Sequence, residues 1–81
     1  MRIDLLVRES AQALLAAGIE NPRLEARVIV GSASGATLEA LVAHPEHEID
    51  EMTVAFVQAL VERRVAGAPM AYLIGSKEFW S

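Results

Sequence analysis

Apolar residues recur every three to four positions along most of this chain, and glycines and prolines separate the resulting segments. This spacing predicts α-helices, because an α-helix completes one turn in about 3.6 residues. The first predicted helix runs from Ile3 to about Ala17, and Gly18 is placed to end it in a left-handed conformation. Its predicted apolar face consists of Leu6, Ala13, Leu14 and Ala17.

The second and third predicted helices have recognisable first residues. Asn21 is the expected N-cap of the second helix, and Pro22 is its first helical residue, where a backbone N–H is not needed. Gly35 ends this helix. Its apolar stripe consists of Ala26, Ile29, Val30 and Ala33. A short third helix, capped by Thr37, is predicted to run through about Ala43. Its apolar side consists of Leu38, Leu41 and Val42.

The fourth predicted helix combines several start and end signals. Asp50 is the expected N-cap, and Ile49 and Val54 flank it at the spacing of a hydrophobic staple. Arg63 and Arg64 place positive charge in the last turn, where the helix carbonyls favour cations. The predicted apolar face consists of Met52, Phe56 and Leu60, with Val57 and Val61 beside it.

Glycine and proline also divide the last part of the chain. Gly67 ends the fourth helix, and a short fifth helix is predicted from Pro69 to about Ile74, followed by a stop at Gly75. The residues after Gly75 have the character of an extended linker. The predicted fold class is therefore all-α: a small bundle of four to five helices with short loops, ending in an extended linker.

Composition and charge narrow the classes of function. Hydrophobic residues make up 53% of the chain and aromatic residues only 5%, so the core must be built from Leu, Ile, Val and Ala. The absence of cysteine excludes disulfides and thiolate metal sites. A net charge of -4 argues against direct binding to nucleic acid through phosphate contacts. The start of the chain resembles neither a signal peptide nor a membrane span, and a cytoplasmic location is expected.

No constellation of catalytic residues emerges from the sequence. His44 and His47 are predicted to lie in a solvated loop, because no further ligands converge on them as a metal site requires. Residues 31–35 read Gly-Ser-Ala-Ser-Gly, but they follow a helical stripe rather than a strand, so a phosphate-binding loop is not predicted. The third helix has no basic or amide side chain to read DNA bases. We therefore assign no catalytic, cofactor-binding or metal-ligating residue to these 81 residues.

The C-terminal segment concentrates unusual residues. Tyr72, Phe79 and Trp80 are three of the four aromatic residues in the chain. Large aromatic side chains near a terminus need a surface to pack on, which leaves two interpretations. Phe79 and Trp80 fold back onto the bundle, or the sequence continues into a second domain. On the second interpretation, residues 1–75 form an N-terminal helical bundle and residues 76–81 start a linker to an absent domain.

The same segment resembles the junction region of the release-factor glutamine methyltransferases, the HemK/PrmC family. The matching residues, in the family's spacing, are Arg63, Arg64, Gly67, Pro69, Ala71, Tyr72, Gly75, Glu78, Phe79 and Trp80. An upstream stretch, residues 23–27, is similar to the family pattern Arg-x-Asp-Ala-Glu, with Glu25 in place of Asp and Arg27 in place of Glu. The junction residues are hypothesised to make interdomain packing or partner contacts.

The resemblance implies a parent enzyme. Members of this family use S-adenosylmethionine to methylate the glutamine of the Gly-Gly-Gln motif in peptide-chain release factors. Their glycine-rich loop and Asn-Pro-Pro-Tyr motif lie in a C-terminal Rossmann-like domain, and neither motif occurs here. The implied partners are a release factor and the catalytic domain of the same chain, and the implied role of this bundle is substrate recognition in translation termination.

Two other roles stay open. The bundle could be a structural cap that stabilises the catalytic domain through Tyr72, Phe79 and Trp80, or a free-standing helical adaptor. Tyr72 is expected to be packed rather than to bind a ligand. Arg63 and Arg64 have two interpretations: charges that favour the end of the fourth helix, or contacts to an acidic partner or to the second domain.

Overall fold

Five α-helices form the secondary structure of residues 1–74, the part of the chain that the computed structural model describes. They are α1 (Ile3–Ala16), α2 (Pro22–Ser34), α3 (Leu38–Ala43), α4 (Glu51–Val65) and α5 (Met70–Ile74). The predicted all-α bundle is confirmed; α1 ends one residue earlier, and α5 begins one residue later, than predicted. The predicted stop at Gly75 and the linker after it lie outside the described residues.

The core lies where α1, α2 and α4 meet. Its almost completely buried large side chains are Ile3, Leu6, Leu14, Ile29, Val30 and Val57. The two short helices close the edges of this core, α3 with Leu41 and α5 with Leu73 and Ile74. Aliphatic side chains therefore supply the packing, as the composition predicts.

The buried face of α1 differs from the predicted one. Its buried residues are Ile3, Leu6, Ser10 and Leu14. Ala13 and Ala17, which were assigned to this face, are exposed. Ala13 falls at the margin of the buried stripe on a helix of 3.6 residues per turn, and Ala17 belongs to the turn that follows the helix. Ile3 and Ser10 complete the stripe instead.

The predicted apolar faces of α3 and α4 were also partly wrong. In α3 only Leu41 is buried, while Leu38 and Val42 are exposed. In α4 the buried residues are Val57, Leu60 and Val61, whereas Met52 and Phe56 are 83% and 54% exposed. Because α4 carries apolar residues around much of its circumference, periodicity alone does not select the face that packs.

The helix ends largely follow the local signals. Thr37 accepts a hydrogen bond from the amide of Ala40, and Asp50 accepts one from the amide of Thr53, so both predicted side-chain caps are confirmed. Gly35 ends α2 with a left-handed conformation (φ 80°). Asn21 occupies the N-cap position of α2, but its side chain makes no capping hydrogen bond, contrary to its predicted role.

Candidate functional site

The turn between α4 and α5 contains the first part of the junction motif. Gly67 has a φ of 111°, a left-handed conformation that suits glycine, and its amide donates to the carbonyl of Arg64. The amide of Ala68 donates to the carbonyl of Arg63 at 3.0 Å. Pro69 then precedes α5, and its carbonyl accepts the amides of the third and fourth residues after it. The glycine and proline thus form the tight corner that their spacing predicts.

Arg64 ties this corner to α2 through an ion pair with Glu25. Its Nε donates to Glu25 Oε1 at 2.7 Å, and its Nη2 donates to Glu25 Oε2 at 3.3 Å. A third bond runs from Nη1 to the carbonyl of Ala68 at 3.3 Å. Both side chains are largely shielded, with 22% and 19% exposure. The hydrogen bonds to Glu25 raise the pKa of Arg64 above its usual value, so the guanidinium stays charged.

This ion pair joins the two stretches of sequence on which the family resemblance rests, residues 23–27 and 63–80. Sequence reasoning placed Arg64 in the last turn of α4, which is confirmed, but it did not pair Arg64 with Glu25. The two residues are separated by 39 positions, so no local pattern could have revealed the contact. Arg63, its neighbour, is exposed.

Tyr72 is the main exposed residue of α5. Tyr72 is 77% exposed within residues 1–74, and its predicted packing, including packing on a second domain, stays a prediction. Its neighbours Leu73 and Ile74 face the core instead, with 9% and 7% exposure. The motif residues Gly75, Glu78, Phe79 and Trp80 lie outside the described residues, and their hypothesised role stays a prediction.

In the loop that contains the two histidines, the histidine side chains are exposed, whereas the backbone forms hydrogen bonds with α1. His44 and His47 are both exposed, as predicted, and the nearest carboxylate oxygen to His44 Nδ1 is that of Glu46 at 3.9 Å. Residues 1–74 contain no group of three or more His, Cys, Asp or Glu side chains suited to a metal ion. The carbonyl of His47 accepts the amide of Ile3 at 2.7 Å, a contact with no counterpart in the sequence pattern.

The glycine- and serine-containing stretch 31–35 is the last turn of α2 and its C-cap, not a phosphate loop. Ser34 Oγ donates to the carbonyl of Val30 at 2.7 Å and accepts the amide of Ala36 at 3.3 Å. A Cβ atom on Gly31 would lie 2.8 Å from the carbonyl oxygen of Ala36. The hydroxyl of Ser34 is thus engaged in local hydrogen bonds. None of the helices in residues 1–74 is long and apolar enough to span a membrane.

These features define a class of protein module: a small helical bundle with exposed charged and aromatic side chains at an ordered helix junction. Comparison with known proteins specifies the module further. Residues 6–75 match the family model described as "PrmC N-terminal domain", and the chain belongs to this family.

Several similar proteins are much longer than this chain. A "Bifunctional methyltransferase" of Rickettsia bellii is 38% identical over 79 residues, covering 98% of the chain and 14% of the relative. A "Release factor glutamine methyltransferase" of Aliivibrio fischeri is 33% identical over 81 residues, and one of Moorella thermoacetica is 40% identical over 81 residues. The chain spans 28% and 29% of these two relatives. No solved structure matches the chain significantly.

Proposed function

We propose that this chain is the substrate-recognition domain of an S-adenosylmethionine-dependent methyltransferase that modifies the Gly-Gly-Gln glutamine of peptide-chain release factors. The observation that carries this proposal is end-to-end similarity to release factor glutamine methyltransferases of which this domain is under a third. A release-factor substrate would place the activity in the cytoplasm and in translation termination.

We assign no binding site for the methyl donor to the described residues. Nucleotide-like cofactors are typically held by a glycine-rich turn between a strand and a helix. The glycine-containing stretch 31–35 instead ends a helix, and Ser34 within it is hydrogen-bonded to the helix itself. We therefore assign the cofactor and the chemical step to a C-terminal catalytic domain of the same protein, with residues 76–81 leading to it.

Recognition by a separate bundle would help the reaction by positioning the substrate. An amide nitrogen is a weak nucleophile, so transfer depends on holding it in line with the methyl group. Placement of reacting groups contributes on the order of several kcal/mol to catalysis, and small misplacements are costly. The corner fixed by Arg64, Gly67 and Pro69 would give the bundle a defined exit direction toward the catalytic domain.

The full-length protein offers a direct test. Removing residues 1–74 is expected to lower kcat/KM for an intact release factor by roughly tenfold or more, while methylation of a short Gly-Gly-Gln peptide persists. The peptide reaction is the control, because it requires a folded catalytic domain but no contact with the bundle. Equal efficiency of the truncated and complete proteins on the intact factor would contradict the recognition role.

A structural cap is the second candidate, and the 77% exposure of Tyr72 favours it, because a large aromatic side chain gains by packing on a neighbouring domain. This role predicts a different pattern. Removal of the bundle, or Tyr72→Ser in the complete protein, would lower the melting temperature of the catalytic domain. It would reduce activity on the peptide and on the intact factor by the same ratio.

A further inference from the structure

A groove of about 720 Å³ lies between α1, α3 and the first two turns of α2. We call it the arginine groove and define it by its charged rim and its apolar wall. The rim consists of Arg2, Arg8, Arg23 and Arg27. The main wall residues are Leu5, Leu15, Leu41 and Val42. It involves neither the junction turn nor the ion pair between α2 and α4.

The groove is positively charged in a protein whose net charge is -4. Asp4 is the one acidic residue that lines it, and its carboxylate already accepts two hydrogen bonds from Arg2, at 3.1 and 3.3 Å. No ion pair within residues 1–74 involves Arg8, Arg23 or Arg27. Three guanidinium groups are therefore without a carboxylate partner within the described part of the chain.

The spacing of two of these arginines increases the local charge density. Arg23 and Arg27 are four residues apart on α2, so they share one face of the helix. Like charges at this spacing repel each other and destabilise an isolated helix. Carboxylates from a bound partner would relieve this repulsion.

The wall of the groove is apolar and open to solvent. Leu15 is 64% exposed, Val42 is 69% exposed and Leu5 is 39% exposed. Leu5, Arg8 and Leu15 project along one side of α1, so apolar and cationic groups alternate there. Apolar area surrounded by charged groups is the arrangement of a protein interface, in which apolar contact supplies affinity and charge supplies orientation.

The groove is less suited to nucleic acid. Single-stranded nucleic acids are commonly held by aromatic side chains that stack on bases, and the lining of this groove contains none. Phosphate backbones would also be repelled by the acidic charge of the rest of the domain. The combination of leucines with unpaired arginines fits a protein segment with apolar side chains and carboxylates.

We propose that the arginine groove binds an acidic segment of the methyl-accepting protein, in which apolar side chains alternate with carboxylates. This inference rests on the proposed recognition function and names the surface that performs it. Arg27 also lines a second, smaller depression that includes Ile74, so the groove adjoins α5, which lies within the junction motif.

Charge reversal in the full-length protein tests the electrostatic half of the proposal. Arg8→Glu combined with Arg23→Glu changes two exposed arginines of the rim and is expected to raise KM for the intact release factor roughly tenfold at low salt. The effect shrinks as ionic strength rises, because exposed charges are screened. Ala55→Glu combined with Gln58→Glu is the control, since it adds negative charge at two exposed positions of α4 outside the groove and should leave KM unchanged.

A second pair of variants tests the apolar half. Leu15→Ser removes an exposed leucine from the groove wall, and Met52→Ser removes an exposed methionine from α4, outside the groove. Leu15→Ser is expected to lower kcat/KM for the intact factor several-fold, whereas Met52→Ser leaves it unchanged. Both positions are solvent-exposed in the free domain, so folding is expected to be preserved, and circular dichroism verifies this.

The short Gly-Gly-Gln peptide separates this inference from the proposed function. Selective loss on the intact factor by the groove variants, with peptide kinetics unchanged, supports both. If the α4 control, Ala55→Glu with Gln58→Glu, or Met52→Ser causes the selective loss instead, the groove assignment is overturned and recognition by the domain stands. If removal of residues 1–74 also leaves both kinetics unchanged, the recognition function itself is overturned.

Two other occupants give distinct results. A nucleic-acid site would show binding of labelled RNA that is abolished by Arg8→Glu with Arg23→Glu but not by Leu15→Ser. A self-association site would show a concentration-dependent increase in molecular mass that the groove variants remove. Either result, without a selective effect on the intact factor, would overturn the proposal.

Discussion

The charged residues on the two sides of α2 lie in opposite environments. Toward α4, Glu25 is paired with Arg64 at 2.7 Å, and both side chains are largely shielded from solvent. Toward α1 and α3, Arg23 and Arg27 line an open groove without an ion pair in residues 1–74. One side is a closed contact between helices, and the other remains accessible to a partner.

This difference separates residues that hold the fold from residues that are available for binding. A shielded ion pair loses much of its value when one partner is removed, because the other charge is left in a poorly hydrated site. An exposed arginine contributes little to stability, so its substitution affects mainly what binds to it. Substitutions on the two kinds of position should therefore differ in their effect on stability.

The largest contrast is expected between two adjacent leucines of α1. Leu14 is fully buried in the core, whereas Leu15 is 64% exposed on the groove wall. Leu14→Ala should lower the free energy of unfolding by about 2–5 kcal/mol, because it leaves a cavity, and Leu15→Ala by less than about 0.5 kcal/mol. Urea denaturation of both variants measures this. Comparable losses would show that the groove wall belongs to the core.

Substitution of Gly31 tests how closely the last turn of α2 packs against the segment that follows it. Replacing a helical glycine by alanine normally stabilises by about 1 kcal/mol. Here the added Cβ would lie 2.8 Å from the backbone oxygen of Ala36, so Gly31→Ala is expected to destabilise by about 1–3 kcal/mol. Ser32→Ala serves as the control in the same turn. Greater stability of Gly31→Ala, measured by thermal unfolding, would contradict the close contact.

Substitutions of Arg64 and of its neighbour Arg63 test how much the ion pair contributes to stability. Arg64→Met leaves Glu25 shielded without its partner and should lower the melting temperature by a few degrees. Arg63→Met removes the same charge from an exposed position and should change it little. The additional change Glu25→Gln should recover part of the loss caused by Arg64→Met. Equal melting temperatures for the two arginine variants would refute the distinction between paired and unpaired arginines.

Asp50 provides a reference for an exposed carboxylate away from α2. Hydrogen bonds from the hydroxyl and amide of Thr53 lower the pKa of Asp50 below its ordinary value of 3.8. The charged form therefore adds stability above pH 3.8, and this contribution disappears as the pH falls through the lowered pKa. Asp50→Asn removes this titration. The difference in stability between the two proteins should be constant near neutrality and shrink below about pH 4.

Helix boundaries were predictable because their signals are local. Thr37 and Asp50 each hold an amide three residues ahead, and Gly35 and Gly67 end helices in conformations that glycine adopts readily. The packed faces were less predictable. Met52 and Phe56 satisfy helical periodicity as well as Val57 and Val61 do, and only the position of α1 and α2 decides which side is buried.

The candidate site likewise has features that local sequence predicts and features that depend on how the helices pack. The turn at Gly67 and Pro69 follows from residue type, whereas the pairing of Arg64 with Glu25 depends on how α2 and α4 pack. The exposure of Tyr72 also depends on packing, because Leu73 and Ile74 take the inward positions of α5. The arginine groove could not be predicted from the sequence, because its main lining residues come from three separate helices.

The bond between Ile3 and the loop before α4 has a consequence for how the chain folds during synthesis. The amides of Ile3 and Asp4 are accepted by the carbonyls of His47 and Pro45, more than 40 residues later. The first turn of α1 therefore lacks these partners until that loop has left the ribosome. Non-local contacts of this kind slow folding, so α1 is expected to be completed together with the start of α4 rather than first.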